Sequence, residues 1–376
     1  APFSGTIQNI TRGEKRAIIE VVILADKEIS YRKLEKMNPE TMTRDKVVAH
    51  LLSTGCWPFI RQRPYNVLAE TNETPKAIFI SGFDTAPLAA DYNFTMQGLD
   101  KSFQAGIAVL RKLCANVQLG LNANATASPT FTNAKNVTTT NYSGKHPAGC
   151  VGVQIHHTDP INKGDLVWTI NPYDVVAIGR VFAEGQYNTE RLIALGGPEI
   201  KNPQYYRVHL GASVDAMVKN NLKQTHVRYI SGNVLTGTPV AANGHVGFFD
   251  NCLTVLEEGD KHELFGWIMP TYARPSVSRT FMAFLKPNKQ YNVNTNTHGE
   301  PRAFVSTGIY ESVTPMDVYP MQLLKAILYR DFDLMEGLGI YEVVEEDLAL
   351  SEFVCPSKTD VQEILREGLD YMREQA

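Results

Sequence analysis

The strongest apolar patterning runs from residue 77 to residue 113. Ala77-Ile-Phe-Ile-Ser81 is a short β-rich run that predicts a buried strand. Gly82 breaks it, and a loop through Tyr92 carries two carboxylates, Asp84 and Asp91. Leu99, Phe103, Ile107, Leu110 and Leu113 then recur at three- and four-residue spacing, one apolar face of a helix. Strand, loop and helix form the front half of a βαβ unit. Ligands of open α/β sheets sit at the carboxyl ends of such strands, so the loop 82–91 is expected to face a ligand.

The flanking patterns divide the chain. Residues 5–10 and 17–24 read as β around the turn Arg12-Gly13. Pro2-x-Ser4-Gly5 before a β-branched run suggests the second half of a biotinyl/lipoyl-type barrel, a plain hairpin being the alternative. Residues 43–54 predict a helix stopped by Gly55, followed by the aromatic, proline- and arginine-rich run 56–64. A loosely flanked strand is expected near 135–140, and a strand over 167–170. Asn171-Pro172 predicts a helix start, Asn as N-cap and Pro at the first position. Residues 191–195 read as a further buried strand. The stretch 144–161 holds three glycines and three histidines without helical periodicity. Strands near 205–210 and 225–230 around a short helix suggest a β-grasp-like module, and the patterns after Pro320 predict helices. The resulting division is 1–42, a partial barrel and linker; 43–200, a Rossmann-like α/β domain; 201–260, the β-grasp module; 261–318, mixed β; and 319–376, helical. The fold class is α/β, α+β overall.

Composition narrows function mainly by exclusion. The 376 residues are 43% hydrophobic and 20% charged, ordinary for a globular chain with a sizeable core. A net charge of −4 without a basic stripe argues against a nucleic-acid partner. Five scattered cysteines without a CxxC pair suit a reducing compartment. No apolar run approaches the ~20 residues a spanning helix needs. The first residue is Ala1 rather than Met, and an upstream segment of the natural protein is expected. Walker, GxGxxG, HExxH and GxSxG motifs are missing from the sequence.

Candidate chemistry rests on scattered polar groups. His156 and His157 on a strand would point to opposite faces and could not share one metal, so no metal site is expected. A pair at a surface or interface, or donors to a quinone or flavin carbonyl, are the remaining readings. Asp84 and Asp91 read as turn and helix caps, or as hydrogen-bond partners of a polar ring or ribityl chain. Asn171 reads as an N-cap beside a ligand site. Trp57 and Phe59 either fill core or wall an apolar slot.

At 144–161 the sequence closely resembles the A subunits of sodium-translocating NADH:quinone oxidoreductases. The resemblance runs essentially the whole chain. It is carried by Ile80-Ser-Gly-Phe-Asp-Thr-Ala-Pro-Leu-Ala-Ala-Asp-Tyr92, His146-Pro-Ala-Gly149 and Ile155-His-His-Thr-Asp-Pro160. Arg302-Ala-Phe304, Pro315-Met-Asp317, Glu345-Glu-Asp-Leu-Ala-Leu350 and Phe353-Val-Cys-Pro356 add to it. More distantly it resembles the C subunit of the Rnf complex and the flavin-binding subunit of respiratory complex I. The family implies a Rossmann-like domain, an SLBB-type β-grasp module and a helical C-terminal region. It implies a peripheral subunit on the cytoplasmic face of the bacterial inner membrane, bound to the complex's other subunits, membrane subunits included. The whole complex would oxidise NADH, reduce ubiquinone or menaquinone and export Na⁺. This subunit would associate with quinone and be inactive alone, or else be a non-catalytic scaffold derived from a flavoprotein. Where the complex I subunit holds flavin phosphate on a Gly-rich loop, this chain has Thr54-Gly-Cys-Trp-Pro-Phe59, and only Cys355 remains of the cluster cysteines. No tightly bound flavin or iron–sulfur cluster is therefore expected. Candidate quinone residues are His146, His156, His157, Trp57 and Phe59. Candidate walls of the old flavin pocket are Gly82, Asp84, Asp91, Gly149 and Asn171.

Overall fold

The hydrophobic runs become strands and the 3.6-period faces become helices packed on them. The structure, a computed structural model, describes every residue except 261–263, 267, 269–270, 278, 280, 287, 306–307 and 376. Strands β1 (Gly5–Arg12) and β2 (Ile18–Ala25) pair as an antiparallel hairpin. Its aliphatic side chains face outward, Ile19 being 69% exposed.

After helix α1 (Arg44–Thr54) come β3 (Arg61–Arg63) and β4 (Val67–Leu68). The α/β unit proper is β5 (Ala77–Ser81), α2 (Tyr92–Thr95), α3 (Asp100–Leu113), β6 (Val117–Asn122), α4 (Pro129–Thr132), β7 (Thr138–Tyr142), α5 (Val151–Thr158), β8 (Val167–Thr169) and α6 (Pro172–Glu184). Its sheet has the order β4-β3-β8-β5-β6-β7. Strands β8, β5, β6 and β7 run parallel, with Ile78 opposite Trp168 on one side and Val117 on the other. The β3–β4 hairpin closes the edge antiparallel. The chain goes from β5 out to β6 and β7, then returns to β8 on β5's other side. The strand order thus reverses between β5 and β8, the topological switch point of such sheets. Helices α3 and α6 pack closely, because Gly106 and Gly179 present no Cβ to the facing carbonyls of Val175 and Ser102.

The second sheet contains β9 (Arg191–Gly196), β10 (Gln204–Val208), β11 (Val227–Ser231), β12 (Thr238–Val240) and β13 (Cys252–Glu257), with the short helix α7 (Val214–Val218). Its order is β10-β9-β13-β11-β12, with β9 and β13 parallel and the other pairs antiparallel. Its core is Ile193, Leu195, Val214, Met217, Leu253 and Val255. This sheet takes in residues 191–196, which the sequence pattern grouped with the preceding domain.

Helices α8 (Pro320–Tyr329), α9 (Phe332–Gly337), α10 (Glu345–Val354) and α11 (Val361–Gln375) close the chain around Leu323, Leu324, Leu348, Leu365 and Leu369. The 261–318 segment, read from sequence as mixed β, falls partly outside the described residues, Trp267 among them. Its described part holds a 3-10 turn at Met282–Leu285 and an isolated bridge from Asn294 to Glu257.

Candidate functional site

A cavity of about 390 Å³ opens at the switch point. Strand β5 runs into Phe83 and Asp84 at its edge, and β8 runs into Ile170 and Asn171. Asn171 caps α6, its Oδ1 accepting from Tyr173 N at 3.1 Å. Its amide nitrogen donates to the Tyr92 hydroxyl at 3.1 Å, which also accepts from Asn251 Nδ2 at 2.6 Å. This joins the α/β unit to the start of β13.

The loop after β5 is held by its own polar groups. Asp84 Oδ1 accepts from Ala86 N at 2.8 Å. Burial pushes the Asp84 carboxyl up from the usual carboxylate range, against the pull of the Ala86 amide and of His146. Thr85 Oγ1 accepts from Gly149 N at 2.9 Å and lies 3.1 Å from His146 Nδ1. Gly149 is required there, since a Cβ would stand 2.6 Å from Thr85 N. His146 Nε2 is buried without a partner, and burial lowers the imidazole's proton affinity.

The opposite wall is cationic and aromatic. The Arg61 guanidinium lies 4.9 Å from the centre of the Phe249 ring, and Arg63 is fully buried behind it. Arg63 donates to Asp347 at 2.7 Å and to Glu346 at 2.5 Å, at the first turn of α10. Asp347 also accepts from Val344 N at 3.0 Å. Gly152 on α5 makes room, because a Cβ there would collide with Arg63 and both Asp347 oxygens. The Glu346 side chain is 41% exposed at the cavity. Desolvation, with Asp347, Asp84 and Glu345 nearby, pushes its carboxyl up, against the pull of Arg63. Phe59 stacks on Phe248 with ring centres 5.3 Å apart.

The structure brings Phe59, Asp84, His146, Gly149 and Asn171 together around this cavity. Gly82 lies just beneath, donating to Gly120 O at the end of the β5–β6 ladder. Asp91 is turned away; it caps α2 by accepting from Asn93 N. Trp57 is core, its indole donating to Ala69 O at 2.7 Å and packing edge-on against Trp168. His156 and His157 sit in the last turn of α5, a helix where the sequence pattern suggested none. Both face the helical region: His156 Nδ1 meets Glu342 at 2.7 Å, its Nε2 accepts from Asp317 N, and His157 Nε2 lies 2.8 Å from Pro315 O. Arg61, Arg63, Phe249, Asp250 and Glu346 line the cavity and were not singled out from sequence. The Arg-x-Arg run before β4 was a signal for the first two; nothing local marked Phe249 or Asp250.

Among the described residues, no helix is long and apolar enough to cross a membrane, and no cluster of His, Cys, Asp and Glu suits a metal ion. The architecture is that of a Rossmann-like α/β protein with a β-grasp module and a helical region meeting at its switch point. The family profile "NqrA second alpha/beta domain" matches residues 42–187, and the SLBB profile "NQRA C-terminal domain" matches residues 192–242. The chain is 39% identical to the A subunit of the Na(+)-translocating NADH-quinone reductase of Serratia proteamaculans (strain 568), over 98% of this chain and 83% of that protein. It is 38% identical to the corresponding protein of Neisseria meningitidis serogroup B (strain ATCC BAA-335 / MC58), again over 98% and 83%. The chain belongs to the family of Na(+)-translocating NADH-quinone reductase A subunits. Among solved structures, an air-oxidized NAD+-reducing [NiFe]-hydrogenase matches at 11% identity and TM-score 0.44, covering 92% of this chain and 67% of that one, a likeness too slight to argue from.

Proposed function

We propose that this chain is the peripheral A subunit of a sodium-pumping NADH:quinone oxidoreductase and that its switch-point cavity receives the quinone head group. In that complex, NADH oxidation and ubiquinone or menaquinone reduction would drive Na⁺ export. The subunit would sit on the cytoplasmic face of the bacterial inner membrane, held by membrane subunits, and be inactive alone. One observation carries the quinone reading: the cavity at the β5–β8 reversal combines ring walls with hydrogen-bond donors. Phe59, Phe249 and Tyr92 offer faces and edges for a flat ring. Arg61 Nε and His146 Nε2 are buried donors without partners. A Thr85 hydroxyl donating to His146 Nδ1 leaves the ring proton on Nε2, the form that donates to a carbonyl. A tightly bound flavin is not part of this reading, because Pro58 contributes no amide and Phe59 occupies the wall.

The test is calorimetric titration of the whole chain with a soluble short-chain quinone, followed also by tryptophan emission. Saturable one-to-one binding is expected, weakened about tenfold by Phe249→Ala or His146→Gln and unchanged by His157→Ala. Linear partitioning without saturation would leave the scaffold reading, with the quinone site elsewhere in the complex.

A further inference from the structure

A second cavity, about 240 Å³, lies between the α2–α3 segment, one face of α6 and residues 188–192 leading into β9. It shares no lining residue with the first. The two are joined through one ion pair: Arg191 Nη2 donates at 2.9 Å to Asp174, which lines the first cavity, while Arg191 itself lines the second.

Three guanidiniums, those of Arg180, Arg191 and Arg207, line this second cavity against a single carboxylate, Glu190. Arg180 is fixed by its Nη1, which donates to the backbone carbonyls of Asn188 and Glu190. Arg207 is exposed at the rim and reaches Glu190 at 2.8 Å. Deeper in, Arg191 is 5% exposed, and its Nε has no hydrogen-bond partner. The Thr189 hydroxyl, on a residue 2% exposed, also has none. Buried polar groups are normally paired, and leaving one unpaired is unfavourable. Both donors lie two residues apart on the segment that lines the cavity. Guanidinium and hydroxyl donors in a positively charged recess are complemented by an oxyanion. The wall across from them is largely apolar, with Phe94, Leu99, Val176 and Ala177 beside Thr95 and Gln97, and the Tyr173 ring lies 5.8 Å from the Arg191 guanidinium carbon. A bare inorganic ion would leave that wall unused.

We propose that this cavity binds a small organic oxyanion, a carboxylate or phosphate monoester with a compact apolar body. The charged head would meet Arg191 Nε, Thr189 Oγ1 and the fixed Arg180, and the apolar body would lie on the Phe94–Val176 side. The site is independent of the quinone reading.

The experiment is calorimetric titration of the whole chain with phenyl phosphate, benzoate and inorganic phosphate in turn. One-to-one saturable binding of at least one of the two organic anions is expected, tighter than that of inorganic phosphate. Thr189→Val, nearly isosteric, should weaken it about tenfold, and Arg180→Gln by at least as much. Quinone titration of Thr189→Val should match wild type, which separates this site from the first cavity. Absence of saturable binding by both organic anions through the millimolar range would overturn the proposal. So would binding that Thr189→Val and Arg180→Gln both leave unchanged, or inorganic phosphate binding as tightly as the better of the two organic anions.

Discussion

Asp174 shows how a single side chain sets the acid behaviour of this fold. It lies in the first turn of α6, is 2% exposed and is paired with Arg191. Burial outweighs the arginine and pushes its carboxyl up to about 6. An unfolded Asp titrates near ~3.9. Between those values the folded chain holds a proton that the unfolded chain has released. This contribution to stability is therefore complete below the unfolded value and is lost as pH rises through about 6. The gap corresponds to roughly 3 kcal/mol at most. Denaturant midpoints measured from pH 4 to pH 7 should fall as pH rises, and Asp174→Asn should have a flatter slope over that range. Asparagine stays neutral at every pH, as the protonated carboxyl does, so the variant's stability relative to wild type should rise by up to roughly 3 kcal/mol between pH 4 and pH 7. An Asp174→Asn slope equal to that of wild type would assign the pH dependence to other carboxylates, Asp84, Asp250 and Glu346 being pushed up as well.

At the scale of elements, α5 is where sequence and structure part most clearly. Its eight residues contain one glycine and two histidines, and its apolar face is only Val151, Val153 and Ile155. Nothing in that pattern has helical period, and the helix forms because tertiary contacts hold both sides. On one side Gly152 admits the Arg63–Asp347 pair; on the other His156 and His157 reach the 315–342 region. Strongly periodic elements were legible, since β5, α3 and α6 carry their own burial pattern. Phe59, Asp84, His146, Gly149 and Asn171 could be singled out because they sit beside strand ends or in glycine-rich loops. Arg63 meets Asp347 across 284 residues, a pairing that no local window contains. Gly152→Ala should drive the chain apart at that pair and cost about 3–5 kcal/mol, measured by chemical denaturation. His156→Ala removes a half-buried contact to Glu342 and should cost about 1–2 kcal/mol while leaving quinone titration unchanged. A change in quinone affinity on His156→Ala would return that histidine to the binding site.

For the whole molecule, the decisive fact is that three hydrophobic cores meet around one polar cavity. The α/β unit supplies Phe83, Asp84 and Asn171; the second sheet supplies Gly232, Thr236 and Phe249 through Cys252; α10 supplies Glu346. The contacts between the parts mix polar pairs, Tyr92 with Asn251 and Arg63 with Glu346 and Asp347, with smaller apolar ones, Phe59 on Phe248 and Val153 in the core of the helical region. Such joints open more easily than the cores themselves. A ligand in the cavity touches all three parts and stabilises only the closed arrangement. Binding at about 100 times Kd adds roughly 2.7 kcal/mol to any opening that destroys the site. Hydrogen exchange should therefore slow about 100-fold, together, in amides near Asn171, Asn251 and Glu346 when short-chain quinone is added. Amides of the exposed β1–β2 hairpin, whose aliphatic side chains pack on none of the three cores, should exchange at the same rate with or without it. Protection confined to the α/β unit would mean that the ligand bridges nothing, and the cavity would then be a surface of one domain rather than the junction of three.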